Sequence, residues 1–101
     1  MATTSKTLFR GAATTNTATT LYTVPASTTT VVTSIVVTNT TSSSGNFTLG
    51  LGGTNLATNV TVGANDSTVI DLKQVLTATQ TITGGASATT INFHIAGVEI
   101  S

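Results

Sequence analysis

Few side chains in this sequence could do chemistry, and fewer could do it together. The charged set is Lys6, Arg10, Asp66, Asp71, Lys73 and Glu99, with His94 the only histidine. A hydrolytic triad needs a nucleophile, a base and an orienting carboxylate. Ser67, Asp71 and His94 are the one combination worth testing. Ser67 and Asp71 fall on the same face of one stretch, and no nucleophile-elbow pattern surrounds the serine. His94 lies between Phe93 and Ile95 and points away from them, which makes it a surface or interface imidazole. Asp66 and Asp71 could form an acid–base pair, but Asp66 ends the turn sequence Gly63-Ala64-Asn65-Asp66, where a carboxylate caps its own backbone. The segment from Gly63 to Asp71 has too few carboxylates for a calcium loop. One histidine and no cysteine leave no zinc set. The pairs Gly52-Gly53 and Gly84-Gly85 lack a following helix and lysine, so they read as turns and not as phosphate cradles. Three scattered basic residues make no nucleic-acid stripe. Asn-X-Ser/Thr triplets at Asn39, Asn46, Asn59 and Asn65 are what so Thr-rich a chain yields by chance. The expectation is a protein that is no enzyme, with no catalytic residue, no cofactor and no metal.

The elements that would carry these residues are strands. Thr29 to Asn39 (TTVVTSIVVTN) is the longest β-branched run, and branched side chains fit a pleated surface better than a helix. Strict alternation puts Val31, Thr33, Ile35 and Val37 on one face and Val32, Ser34, Val36 and Thr38 on the other. Both faces are partly apolar, as for a central strand with the core on one side and a Thr-tolerant neighbour on the other. Thr19 to Val24 is a short strand stopped by Pro25. Gly45 to Leu51 alternates Phe47, Leu49 and Leu51 against polar residues, and reads as the hairpin partner of the long strand. Thr58–Val62, Ser67–Leu72 and Thr79–Thr83 are further strands, and Leu72 to Leu76 looks like one helical turn. In the last strand, about Thr90 to Ile100, the apolar set moves from Ile91, Phe93 and Ile95 to Ala96, Val98 and Ile100, which places a β-bulge near Gly97. Seven to eight short strands with Gly/Asn/Ser turns make an all-β fold, an antiparallel sandwich of jelly-roll or Ig-like type, or a small barrel. The expected core is Leu21, Val31, Ile35, Val37, Phe47, Leu49, Leu51, Ile70, Leu72, Leu76, Ile82, Ile91, Phe93 and Ile95.

Composition limits the partners. At 101 residues the chain is one domain with one modest core. No apolar run has the length of a signal peptide or a membrane span, so neither export by that route nor membrane insertion is expected. Charged residues are 6% of the chain, against roughly 25% in an ordinary domain. Threonine fills 27 of the 101 positions instead. Hydrophobic residues at 39% keep it from the disordered class. Isolated sheets protect their edges with lysines and keep apart through net charge. This chain has a formal net charge of zero and few lysines, which suits a part packed against neighbours.

Residues 1–18 (MATTSKTLFRGAATTNTA) are small and polar apart from Leu8 and Phe9. They read as an N-terminal arm preceding a sandwich domain at 19–101. The arm could be frayed or could add a strand to a neighbour, with Leu8, Phe9 and Arg10 as its partner-binding grip.

One stretch resembles a known group of proteins. Tyr22-Thr-Val-Pro-Ala26, a few small residues and an apolar strand ending in Thr38-Asn39 are similar to small virion proteins of tailed bacteriophages. The likeness continues through Gly63-Ala-Asn65, Ile70-Asp-Leu72 with Val75-Leu76, a Thr-Ile strand, and a closing Gly97-Val-Glu-Ile100, covering about Leu21 to Ser101. The chain departs from the group at Ser27 to Thr30, hydroxylated where a lysine or glycine usually follows. The resemblance implies a β-sandwich structural module of the particle: a capsid decoration (cement) protein, a head fibre or a tail accessory protein. The first is expected to bind the major capsid protein on the outer surface of the head, assembled in the host cytoplasm, and to form homo-oligomers, trimers before dimers, with no nucleic acid or membrane partner. A tail or neck location is the alternative. A carbohydrate-binding module is the distant one, disfavoured by the lack of Trp for sugar stacking.

Overall fold

The structure is a computed structural model, which describes residues 3–101. Eight strands account for its regular structure: β1 (Thr3–Ala12), β2 (Thr20–Thr23), β3 (Thr29–Asn39), β4 (Gly45–Leu51), β5 (Thr54–Val62), β6 (Ser67–Leu76), β7 (Thr81–Ala86) and β8 (Ile91–Ile100). They form two four-stranded antiparallel sheets, ordered β1-β8-β3-β6 and β2-β7-β4-β5. The sheets face each other across one apolar core. Phe47 of β4 meets Phe93 of β8 edge-on, with ring centroids 6.2 Å apart at 72°, the T-shaped arrangement that aromatic quadrupoles favour. Ile35, Val37, Leu49, Ile82, Ile91 and Ile95 fill the space around them.

The strand order corrects several expectations. β3 and β4 are no hairpin: β3 lies between β8 and β6, and β4 lies in the opposite sheet. Only β4 and β5 follow each other within one sheet. Their turn, Gly52-Gly53, has φ values of +59° and +87°, the two left-handed positions of a primed hairpin turn. The other glycine pair is no turn. Gly84 and Gly85 are buried inside β7, where a Cβ on Gly85 would lie 2.4 Å from the Asn16 carbonyl oxygen. Leu72 to Leu76, expected as a helical turn, is the second half of β6.

The N-terminal arm is also absent. β1 pairs with β8 along its whole length, from Thr3 opposite Ile100 to Ala12 opposite Asn92. Residues that look weak as an isolated tail gain a complete ladder from β8, so the sheet supplies what local sequence does not.

A crease runs across this first sheet. β1 carries an extra residue at Leu8 relative to β8, β3 carries one at Thr33 relative to β8, and β6 carries one more relative to β3 at Leu72–Lys73. β8 itself alternates without interruption, with Ile91, Phe93, Ile95 and Gly97 turned inward. The bulge expected in β8 therefore belongs to its neighbours, and Gly97 is the space they need. A Cβ there would come within 2.4 Å of the Val31 carbonyl oxygen and 2.9 Å of Leu8 Cδ1. In β3 the crease reverses the faces: Thr30 and Val32 are buried before it, Ile35, Val37 and Asn39 after it. Val32, and not Val31, is thus the core valine.

Asn39 closes the end of β3. Buried, it donates through Nδ2 to the carbonyls of Ser43, Val62 and Gly63 at 2.8, 3.4 and 3.3 Å, and accepts from the Thr41 N–H at 3.2 Å. One buried amide thereby ties the loop after β3 to the end of β5 and has its own polar atoms satisfied.

Candidate functional site

The triad candidates do not come together. Ser67 opens β6 opposite Thr38, Asp71 lies opposite Ser34, and His94 lies on β8 opposite Val36. β3 stands between the strands of Asp71 and His94, two strand spacings or roughly 9.6 Å. No hydrogen bond joins any two of the three among the described residues. Asp66 has the local role expected of it: its Oδ1 accepts from the Ser67 N–H at 2.8 Å, and its carbonyl accepts from the Asn39 N–H at 2.8 Å. Among the described residues no three His, Cys, Asp or Glu side chains cluster as a metal set. Among the described residues no helix is long and apolar enough to cross a membrane.

The three residues expected to grip a partner have separate fates. Leu8 is buried in the chain's own core, over the space left by Gly97. Phe9 is half-buried and packs against that core, and only Arg10, opposite His94, is exposed. A leucine at a bulge turns inward where strict alternation would send it out, so Leu8 cannot serve as a grip without leaving the fold.

A polar cluster that the sequence did not suggest bridges the two sheets at the end where β8 finishes. Tyr22 of β2 directs its hydroxyl to the Glu99 carboxylate of β8 and lies 3.0 Å from Thr30 Oγ1 of β3. Lys6 Nζ of β1 lies 3.4 Å from both Glu99 oxygens, the one salt bridge among the described residues. The Glu99 side chain is 16% exposed and that of Lys6 47%. The Tyr22 hydrogen bond, followed by Lys6, holds the Glu99 carboxyl below its ordinary value, although burial pulls the other way. Burial, and then the bond to Glu99, pushes the Tyr22 phenol up. The cluster ties β1 and β2 to β8. Its members are 93 and 77 residues apart in sequence, so no local spacing could reveal it. The available signal was rarity: the only tyrosine and two of six charges meet at one point.

The remaining candidate is the outer face of the β1-β8-β3-β6 sheet. Register aligns its side chains in rows. Val98, Val31 and Val75 form one row across β8, β3 and β6, and Ala96, Ser34 and Asp71 form the next. His94, Val36 and Val69 follow. Val69 and Val75 are 62% and 60% exposed, the most exposed large apolar side chains described. Leu56 and Val60, also exposed, lie on β5, the edge of the other sheet. An open depression of about 440 Å³ lies over the crease, lined by Thr33, Asp71, Leu72 and Lys73. A face of aligned valines bordered by few charges is chemically suited to contact. No protein-family model matches the chain, and no curated protein matches it either.

Proposed function

We propose that the chain is a structural protein of a bacteriophage particle, a capsid decoration protein that lies on the outer face of the head, binds the major capsid protein and ties neighbouring subunits together. The observation that carries the reading is the run from Tyr22 to Asn39 with its later counterparts, which resembles such virion modules. The strand order supports it. Two Greek keys in the order β1-β8-β3-β6 and β2-β7-β4-β5 make a jelly roll, an architecture common in capsid proteins.

The mechanism follows from the surface. A decoration protein acts by adding buried area that repeats over the shell, which needs a rigid face and no reacting group. The valine rows of β8, β3 and β6 provide that face, and the near absence of charge removes the cost of desolvating ions on contact. Residues 3–12 form an edge strand, so the lattice contact passes from the N-terminal segment to the outer sheet face.

Gold-labelled antibody on intact particles tests the reading. Label spread over the whole head is the expected result. Label at one vertex or along the tail replaces decoration with a tail or neck role. No label on any particle overturns the virion assignment.

A further inference from the structure

β6 is hydrogen-bonded to β3 on one side only, and among the described residues its other row of backbone N–H and C=O groups meets no strand. Such an edge, ten residues long, is a template for pairing. Along β6 the side chains keep alternating through the extra residue at Leu72–Lys73. Ile70, Leu72 and Leu76 pack on the core, with Gln74 on the same side but exposed, while Val69, Asp71, Lys73 and Val75 are exposed on the outer side. Neither Asp71 nor Lys73 forms an ion pair among the described residues.

The exposed set has a property that points to its partner. Counted outward from Leu72, Asp71 on one side matches Lys73 on the other, and Val69 matches Val75. We propose that β6 pairs antiparallel with β6 of a second copy of this chain, about a two-fold axis at Leu72. Each Asp71 then faces Lys73 of the other copy, twice over, and each Val69 faces a Val75. A two-fold interface requires this self-complementarity, in which residue i meets j and j meets i. The rows continue through the seam. Val98-Val31-Val75 of one copy runs on into Val69-Val36 of the other, so apolar surface meets apolar surface over an eight-stranded sheet.

Neighbouring registers are excluded by the same residues. Centring on Asp71 sets two aspartates against each other and each Val69 against Lys73. Centring on Lys73 sets two lysines together and each Val75 against Asp71. A slip of one residue places core-facing side chains opposite exposed ones. Like charges directly opposite on paired strands are destabilising, so of these registers only the one about Leu72 sets unlike charges against each other. The pairing rests on β6 and not on the virion reading: a particle without label would leave it intact.

Sedimentation velocity on the wild type and on two charge variants tests it. The wild type is expected to dimerise. Asp71→Lys and Lys73→Asp each create two like-charge oppositions in the homodimer and should weaken it by at least about tenfold. Mixed in equal amounts, the two variants regain both opposite-charge pairs and should form a heterodimer as readily as the wild type dimerises. That rescue also shows that both variants fold. A monomeric wild type, single variants that dimerise unchanged, or a mixture that stays monomeric each overturn the proposal.

Discussion

The two edges of the outer sheet, β1 and β6, face the same problem with opposite equipment. β1 has Lys6 and Arg10, an ion pair from Lys6 to Glu99, and a bulge that drops Leu8 into the core. Charge and bulge are the devices by which natural sheets discourage edge pairing. β6 has two exposed valines and an acid and a base that cancel on the same strand, and its own extra residue, at Leu72–Lys73, buries no side chain as the one at Leu8 does. The chain places a net positive charge on β1, from Lys6 and Arg10, and leaves β6 without net charge, Asp71 balancing Lys73. The difference shows that edge protection is local: low overall charge does not make every edge equally open, and the sheet has a guarded side and an available one.

The largest way to break this contrast is to remove the guard. Gly97→Val places a side chain where a Cβ alone would lie 2.4 Å from a backbone carbonyl and 2.9 Å from Leu8. Neither the Val31 carbonyl of β3 nor the buried Leu8 of β1 can move freely, so β8 should be displaced from both neighbours, β1 included. We expect a loss of more than about 3 kcal/mol. For a domain of this size that lowers Tm by at least about 12 °C. Leu8→Ala comes next. It leaves β1 paired but empties a buried site, at a cost of about 3 kcal/mol in denaturant titration. If Leu8→Ala were as harmless as a change in a loose tail, the claim that β1 belongs to the core would fail.

The same contrast marks what could be read from the residues. Alternating stretches such as Phe47-Leu49 and Ile91-Phe93-Ile95 show their buried faces directly, because each strand there is regular. The faces of Val31 and Val32 could not be read, since a bulge at Thr33 reverses the alternation and both residues are apolar. Leu21, Leu51, Ile70 and Leu72, expected in the core, are half-buried against it, because each lies on an edge strand or at a strand end. The β3–β4 pairing was misread because nearness in sequence suggests a hairpin, whereas here successive strands change sheets. Of the candidate contact residues, Leu8 and Phe9 were visible as apolar anchors, but their direction depends on β8, some 85 to 90 residues away. Val69 and Val75 were visible as apolar, and only the strand order shows that nothing covers them.

The polar cluster yields a smaller and pH-dependent effect. Glu99→Gln keeps the shape and removes the charge that Tyr22 and Lys6 both favour, and should cost about 1 kcal/mol near neutrality. Because Glu99 titrates lower folded than unfolded, its contribution is present above the ordinary carboxylate value and is lost as pH falls through the depressed one. Wild type and variant should therefore converge in Tm on acidification. Tyr22 has the opposite sign: its raised pKa stabilises the fold below the ordinary value of 10.0, and that gain is lost as pH rises through the folded value. Tyr22→Phe should flatten the alkaline limb of the stability profile. A constant offset between wild type and Glu99→Gln across the acid range would separate the cluster's role from its charge.

The smallest expected effect sharpens the comparison most. Val75→Thr on the available edge trades a methyl for a hydroxyl on a side chain 60% exposed, with β propensity retained. The monomer's stability should change by no more than about 0.5 kcal/mol. A substitution that is silent in unfolding but weakens self-association can act only through contacts between molecules. The matching change on the guarded edge, Arg10→Ala, should likewise leave stability nearly unchanged, since Arg10 is exposed and makes no ion pair among the described residues. It removes one of the two charges that keep β1 solvated. Side by side in sedimentation, Val75→Thr should reduce association and Arg10→Ala should not. Equal behaviour of the two variants would mean that β1 and β6 are interchangeable edges, and the asymmetry inferred from their side chains would have no consequence in solution.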